Sequence, residues 1–417
     1  MTNKWQSFQI KNVCNVLTGG TPRTEINEYW DGDINWMSSG EVNKRRIDFV
    51  AKKITQKGLD SSNARLLPTN TVVMALAGQG KTRGKVAILN IETTCNQSLA
   101  AMVVKDPLEL CPEYLFQYLE SKYDELRGIS GGEGRSGLNL TLINNYEIKI
   151  PDIKIQQKIS DILSSIDEAI QKTDQIIRKS EELKNGLMNE LLTRGIGHKK
   201  FKKTKLGETP EGWKILSLQE MLDRGMITGH LDGNHGELYP KSSEFTDAGV
   251  PYISVNNILD KRVDFTHSKY LSELRAKQFK KGVAINGDIL FAHNATVGPV
   301  ALLKTGYPFV VLSTSLTYYR CDPSMLNPEY LLNYMQSEMF KNQYQRVMSQ
   351  TTRNQVPITA QRKLFHVVPS LEEQKTIASI LSKIDEHTRI NTSEKEKFSK
   401  LKSGLMQDIF NQKVQIN

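Results

Sequence analysis

The sequence lacks the features of a secreted, membrane-spanning or metal-binding protein. Its 417 residues hold four cysteines, spread without a CxxC pair, so neither a disulfide framework nor a cysteine zinc site is indicated: Cys14, Cys95, Cys111 and Cys321. No apolar run approaches the ~18 residues needed to cross a bilayer. The N-terminus, "MTNKWQSFQI", lacks the apolar stretch of a signal peptide. We therefore expect a cytoplasmic protein of two or three domains.

Catalytic motifs are missing as well. The chain has no Pro-Pro pair, and so no "NPPY"-type motif of an adenine methyltransferase. The stretch "ALAGQGKTRGK" (75–85) comes near a phosphate-binding loop, but Ala75 stands where that loop needs its first glycine. The seven histidines show no metal-ligand spacing, apart from a conceivable pair in "GHLDGNHGE". We expect no catalysis, no metal and no cofactor on this chain.

Basic residues are in excess, and the excess is uneven. The net charge is +9; residues 198–368 hold 22 basic and 15 acidic side chains, and residues 1–150 hold 18 and 16. Segments 151–197 and 369–417 are nearly neutral. A polyanion such as nucleic acid is the natural partner of a basic surface, although a modest excess also occurs in proteins that bind none.

An internal repeat is the most informative feature of the sequence. Residues 151–192 align without a gap on residues 369–410, and 15 of the 42 pairs are identical. The matches include "ISDILSSIDE" with "IASILSKIDE", and "LKNGLM" with "LKSGLM". Repeats of this length indicate duplicated structural units.

Each copy of the repeat predicts one long helix, because isoleucines and leucines recur at steps of three and four. A helix of roughly 38 residues, about 57 Å long, is too long for a small domain and predicts a partner of matching length, for which the second copy is the obvious candidate. The residues expected in the coil or in partner docking are Ile159, Ile162, Ile166, Gly186, Leu187, Ile377, Ile380, Ile384, Gly404 and Leu405. A close approach of another backbone would explain the two helical glycines, although simple tolerance would explain them too. The polar stretch "HTRINTSEKEK" (387–397) predicts looser pairing at the centre.

The two large segments repeat more faintly. "GKVAIL" aligns with "GPVALL", "RIDF" with "RVDF", and "CPEYLFQYLES" with "NPEYLLNYMQS". Short β-branched runs predict strands and the "PEYL" segments predict helices. We therefore predict an α+β domain at 1–150, a helix at 151–197, a second α+β domain at 198–368 and a second helix at 369–417.

This plan resembles the specificity subunit of type I restriction–modification enzymes. "VPSLEEQKTIASILSKID" looks like the family's Pro-rich signature at the start of each long helix, and "GDILFAHNATVGPVALL" looks like its strand–loop–strand. In the first copy Gln157 stands near the place of the family's "EQ" pair and no acidic residue precedes it, so this helix start departs from the family pattern.

The resemblance implies two target recognition domains, each reading one half of a bipartite double-stranded DNA site. Their helices would pair as an antiparallel coiled coil with an internal pseudo-twofold axis, set the spacer between half-sites and dock methyltransferase subunits, two per chain. Adenine methylation and ATP-dependent cleavage would reside in those methyltransferase and in restriction subunits, with S-adenosylmethionine, ATP and Mg on the partners. Because the two domains differ in sequence, their half-sites should differ.

Candidate DNA-contacting residues are polar or basic side chains on loops that recur in both domains. Their residue types can bind phosphates or base edges. In the first domain they are Ser38, Ser39, Lys44, Arg45, Arg46, Lys81, Arg83, Lys85 and Arg135. In the second domain they are Asn256, Asn257, Lys261, Arg262, His293, Asn294, Thr296, Arg353 and Asn354.

Two other classes of function stay open. One is a coiled-coil adaptor whose two domains bind protein or another ligand. The other is a nucleotide-dependent enzyme, which the missing motifs disfavour.

Overall fold

The computed structural model describes residues 5–78, 81–129, 137–350, 354–414 and 416. The chain forms two compact units: unit 1 is Met1–Asp174 with Thr392–Asn417, and unit 2 is Gln175–Asn391. Each unit thus combines one α+β domain with one half of each long helix. The boundary between the two compact units falls within the long helices. The domain limits expected from the sequence lie instead at the helix ends, and those limits stay a prediction.

Unit 1 contains two main sheets and a strand pair that joins the two ends of the domain. In the five-stranded sheet the order is Cys14–Thr18, Leu99–Val104, Val72–Ala75, Val86–Leu89 and Arg46–Ile47. The three-stranded sheet has the order Lys52–Ile54, Trp30–Met37 and Thr94–Cys95, the last two parallel. The pair is Gln6–Gln9 with Glu147–Ile150. The helices are Ile10–Val13, Gln56–Asp60, Pro112–Ser121, Tyr123–Ile129 and Leu140–Asn145, with 3-10 turns at Asn27–Tyr29 and Ser39–Lys44.

Unit 2 repeats this topology. Its four-stranded sheet has the order Ile227–Asp232, Leu316–Cys321, Ile289–Ala292 and Val300–Leu302. Its five-stranded sheet has the order Phe245–Thr246, Lys269–Leu271, Val250–Ile253, Val310–Leu312 and Val283–Ala284, again with one parallel pair. The strand pairs are Lys214–Ser217 with Phe365–Val368, Ile258–Leu259 with Arg262–Val263, and Phe201–Thr204 with Gly207–Pro210. The helices are Leu218–Asp223, Glu273–Ala276, Pro328–Tyr334, Glu338–Met348 and Ile358–Gln361, with 3-10 turns at Gly236–Leu238, Ser242–Glu244 and Val255–Asn257.

Two long helices complete the units: the central helix, Ile153–Thr193, and the C-terminal helix, Leu371–Phe410. In unit 1, Asp167 pairs with Lys402 and Asp174 with Lys395. Residue numbers rise along the central helix as they fall along the C-terminal helix, so the two helix segments of this unit are antiparallel. In unit 2, Lys184 pairs with Asp385 in the same antiparallel sense. The α+β fold with two repeated domains and two long helices is confirmed.

A buried glutamine fixes the start of each long helix against its own domain. Gln156 is fully buried, accepts the backbone N–H of Cys111 (2.8 Å) and donates to the proline carbonyl five residues earlier (2.9 Å). Gln374 does the same with the backbone N–H of Asn327 (2.8 Å) and the proline before it (3.0 Å). Cys111 and Asn327 cap the "PEYL" helices, Pro112–Ser121 and Pro328–Tyr334, so each glutamine ties a "PEYL" helix to a long helix. This explains why the glutamine recurs even where its acidic neighbour does not.

The glutamate that precedes Gln374 makes a separate set of contacts in unit 2. Glu373 accepts the indole N–H of Trp213 (2.9 Å) and the backbone N–H of Ile196 (2.9 Å), and it lies 2.9 Å from a ring nitrogen of His198. It thereby fastens the segment that follows the central helix. The first copy has Ile155 at the equivalent place, and Ile155 packs on the apolar core of unit 1.

The residues predicted for the coil differ in their surroundings. Ile159 and Ile377 are fully buried, and Leu187, Ile380 and Leu405 are partly buried against the two cores. Ile166 and Ile384 are half-buried, while the side chain of Ile162 is 42% exposed. Toward the middle of the helices the buried positions are polar, Thr173 in unit 1 and Asn391 in unit 2, as the polar stretch in the sequence predicts.

The two helical glycines do not mark a close approach within the part of the chain that the structure describes. A Cβ added at Gly186 or Gly404 would meet no atom within 4 Å, and both positions are exposed. The backbone contact expected from the sequence is therefore absent there.

Replacing either glycine by Ala should stabilise the isolated chain by about 1 kcal/mol, because Ala removes the entropic penalty of a helical glycine and meets free space. Thermal unfolding of Gly186→Ala and Gly404→Ala measures this. A lower melting temperature in either variant would contradict the open surroundings.

No helix among the described residues is long and apolar enough to cross a membrane.

Candidate nucleic-acid interface

The first group of candidates in unit 1 follows the strand Trp30–Met37. Ser38 precedes the 3-10 turn Ser39–Lys44, and its backbone N–H donates to the Glu41 carboxylate (3.0 Å) in a capping box. The ammonium of Lys44 lies 3.0 Å from the same carboxylate and 3.9 Å from the centre of the Phe49 ring. Ser39 is half-buried. Ser38 and Lys44 therefore shape the turn, and their contact with DNA stays a prediction.

Arg45 points at the long helices. Its guanidinium donates to Glu120 (2.5 Å and 2.7 Å) and to Asp167 (2.8 Å and 3.0 Å). The ammonium of Lys402 lies 2.7 Å from Glu120 and 2.8 Å from both oxygens of Asp167. Burial by itself raises the pKa of Asp167, but hydrogen bonds from Arg45 and Gln117 and the charges of Arg45 and Lys402 outweigh it and lower that pKa to about 2. The four side chains form a neutral, largely buried ionic cluster.

Arg46 is also engaged with the helices. Its guanidinium donates to both carboxylate oxygens of Glu113, at 2.5 Å and 3.0 Å, and the Ser164 hydroxyl donates to the same carboxylate (2.9 Å). Bidentate arginine–carboxylate pairs are strong and well oriented. The sequence predicts that Arg45 and Arg46 contact DNA, and the structure commits both guanidinium groups to carboxylates inside unit 1.

Unit 2 repeats the arrangement with fewer partners. Lys261 donates to Asp385 (2.7 Å), and Lys184 donates to the other oxygen of that carboxylate (2.5 Å). Arg262 is exposed, and its charge contributes to the lowered pKa of Glu386, after the larger effect of a hydrogen bond from Arg389.

The neighbouring asparagines of unit 2 have different surroundings. Asn257 is 5% exposed; its carbonyl oxygen accepts the backbone N–H of Ser254 (2.9 Å), so it closes a turn and its side chain is not on the surface. The expectation that Asn257 reads DNA directly conflicts with this burial. Asn256 is exposed and keeps that prediction.

The basic loop of unit 1 follows the buried strand Val72–Ala75. Lys81 is exposed, and its backbone carbonyl accepts the hydroxyl of Tyr123 (2.9 Å). Lys85 donates to the Asn43 side chain (2.7 Å), and Arg83 is half-buried. Lys81 is therefore the basic side chain of this group that faces solvent.

The equivalent loop of unit 2 is built on a buried histidine. His293 is 6% exposed because its backbone pairs on both sides, its N–H donating to Ser315 (2.9 Å) and its carbonyl accepting Val356 N–H (2.8 Å). Neither ring nitrogen makes a hydrogen bond within the described residues, and burial lowers the pKa of the imidazole. The predicted contact of His293 with base edges conflicts with this burial.

The other candidates of this loop lie at its surface. Thr296 and Asn354 are exposed and Asn294 is half-buried. The backbone N–H of Ala295 donates to the Asn354 carbonyl (2.9 Å), so Asn354 lies beside the loop that carries Asn294 and Thr296. Arg135 and Arg353 lie outside the described residues.

The acidic and basic partners of Arg45 and Lys261 are not among the site residues that the sequence predicts. Asp167 and Lys402 correspond in the repeat to Asp385 and Lys184, and each pair of equivalents is identical in residue type. Identity of charged residues within the repeat was the available signal. Glu120 gave no such signal, because its counterpart in the second "PEYL" helix is Gln336.

The comparisons with known proteins agree with this architecture. The family described as "Type I restriction modification DNA specificity domain" matches residues 2–182 and 210–399. The chain is 23% identical over 417 residues to the type I restriction enzyme MjaVIII specificity subunit of Methanocaldococcus jannaschii, covering 99% of this chain and 93% of that protein. It is 27% identical over 300 residues to the MjaIX specificity subunit of the same organism, covering 69% of this chain and 65% of that protein.

A solved structure shares the fold. The type I restriction–modification S subunit from M. genitalium superposes with a TM-score of 0.64 at 14% identity, covering 100% of this chain and 98% of that chain. Since the family match extends over most of both halves, the chain belongs to the family of type I restriction–modification DNA specificity subunits, with two target recognition domains.

Proposed function

We propose that the chain recognises a bipartite, asymmetric double-stranded DNA site, with each recognition domain reading one half. The repeated topology carries this proposal: the same strand–loop–strand occurs in both units with different exposed side chains. Lys81 stands on one loop and Thr296 on the other. Strand–loop–strand segments of similar fold that carry different polar side chains on their loops are suited to read two different half-sites.

The long helices would set the spacer and dock the methyltransferase subunits. Leu183 and Leu401, equivalent in the repeat, are 56% and 51% exposed, and each lies three residues before an exposed glycine. Exposed apolar groups at equivalent places support two equivalent docking surfaces, and so two methyltransferase subunits per chain.

Catalysis would reside in the partners. Methyltransferase subunits would supply adenine methylation with S-adenosylmethionine, and restriction subunits would supply ATP- and Mg-dependent cleavage in the cytoplasm. This chain would contribute the choice of site. The adaptor alternative is disfavoured, because the family match extends over both domains.

A matched pair of insertions tests the proposal. In the register set by the ion pairs of unit 1, the Lys172–Thr173 peptide lies level with the Glu396–Lys397 peptide. Four helical residues inserted at both points lengthen the pair by about 6 Å, nearly two base-pair steps at ~3.4 Å each. We expect a spacer longer by one or two base pairs with unchanged half-sites, measured by methylome sequencing of cells that carry the chain and its methyltransferase.

Wild type is the reference, and an insertion at Lys172 alone is the control, since it breaks the register and should reduce methylation. Changed half-sites with an unchanged spacer would contradict the proposal.

A further inference from the structure

Two cationic residues adopt a left-handed backbone conformation at equivalent positions of the two domains. Arg45 has φ = 64° and Lys261 has φ = 65°. Residues with a Cβ rarely occupy this region, and the surrounding structure must hold them there. Both copies of the domain thus retain an unfavourable backbone conformation beneath a long basic side chain.

The two cations reach equivalent partners. Arg45 binds Asp167 on the central helix, and Lys261 binds Asp385 on the C-terminal helix. In each case a lysine from the other long helix binds the same carboxylate, Lys402 in unit 1 and Lys184 in unit 2. Each aspartate therefore joins its recognition domain to both long helices.

Each aspartate is a second attachment point on its helix. Asp167 lies eleven residues after Gln156, and Asp385 lies eleven residues after Gln374, a separation of about 16 Å along the helix axis. Between these two points the helix also packs on the domain through buried apolar residues, Ile159 and Leu163 in unit 1 and Ile377 and Leu381 in unit 2. A charged contact at the far end of this attachment restricts rotation of the domain on its helix.

We propose that Arg45 and Lys261 are positioning residues that fix the angle between each recognition domain and its helices, and so restrict the enzyme to one spacer length. The proposal rests on the function proposed above, since it assumes that each domain reads a half-site. Both cations were candidates for DNA contact, but each is bound to a helix carboxylate, so the bases read by each domain would be unaffected by them.

Lys261→Gly is the sharpest test, because it removes the cation and also relieves the left-handed backbone conformation, which protects folding. Asp385→Asn is the second variant and removes the carboxylate. Asp260→Gly is the matched control, since Asp260 has φ = 45° in the same turn, and Lys261→Arg should restore the contact. Each full-length variant is expressed with its methyltransferase subunits, and methylome sequencing gives the frequency of each spacer length.

We expect Lys261→Gly and Asp385→Asn to methylate the same half-sites as wild type, and to do so also where the spacer is one base pair longer or shorter. At these new spacers the methylated fraction should be at least about a tenth of that at the original spacer. Wild type, Asp260→Gly and Lys261→Arg should keep one spacer. A single spacer in both test variants would overturn the proposal, as would changed half-sites. Loss of all methylation at an unchanged melting temperature would also overturn it, because a freed domain should still find its half-site. An undivided target in wild type would instead refute the proposed function on which this inference rests.

Discussion

Replacing Lys402 by Met should lower the free energy of unfolding of unit 1 by about 3–5 kcal/mol, because it leaves the buried Asp167 carboxylate without one of its cations. The side chain of Lys402 is 8% exposed and that of Asp167 is 5% exposed, so little water reaches the Asp167 carboxylate. Glu120, 2.7 Å from the same ammonium, would share Arg45 with Asp167. Met fills a similar space, so the loss measured is mainly electrostatic.

Hydrogen exchange of the strand Val72–Ala75 at pH 7 measures the change in unit 1. The matched control is Lys184→Met in unit 2, which should cost about 1 kcal/mol or less. Its partner Asp385 has a side chain that is 36% exposed, so water can solvate this carboxylate when the ammonium is lost. Adding Asp167→Asn to Lys402→Met should recover part of the stability. Equal losses in the two lysine variants would contradict the difference in burial.

The repeat predicted the architecture well, because a duplicated helix with one apolar stripe has few ways to bury it. The contacts of Arg45 could not be predicted in the same way. Its carboxylate partners lie 75 and 122 residues away, and a basic residue in a loop gives no sign of which surface it faces. A basic loop between two strands is expected to face solvent, whereas this loop turns its arginines toward the helices.

His293 failed as a surface prediction for a different reason. A glycine-containing turn between two strands suggested an exposed tip, but pairing with Val356 extends the strand and buries the first residues of the turn. Leu76 occupies the corresponding place in unit 1, where its carbonyl accepts the backbone N–H of Leu138 (3.0 Å). The apolar counterpart in the first copy was a signal that this position is interior.

Acidification from pH 7.5 to pH 5 should destabilise unit 2 by about 4 kcal/mol and leave unit 1 nearly unchanged. All seven histidines of the chain lie between His198 and His387, within unit 2. Burial lowers the pKa of His230 to about 4 and that of His366 to about 3, and it also lowers that of His293. The unfolded chain takes up protons near pH 6.5 while the folded chain resists, so stability falls as the pH drops below 6.5. At 1.36 kcal/mol per pKa unit, His230 and His366 each contribute about 2 kcal/mol by pH 5.

Unit 1 is the internal control for this prediction. It has no histidine, and the pKa of Asp167, lowered to about 2, keeps its ionic cluster intact until the pH falls below about 4. Hydrogen exchange measured at each pH, corrected for intrinsic rates, should show protection lost first in the strand Leu316–Cys321. His366→Ile places in unit 2 the residue type found at the equivalent Ile148, and it should remove about half of the acid sensitivity. Equal loss of protection in both units, or earlier loss in unit 1, would show that these buried imidazoles do not control the acid response.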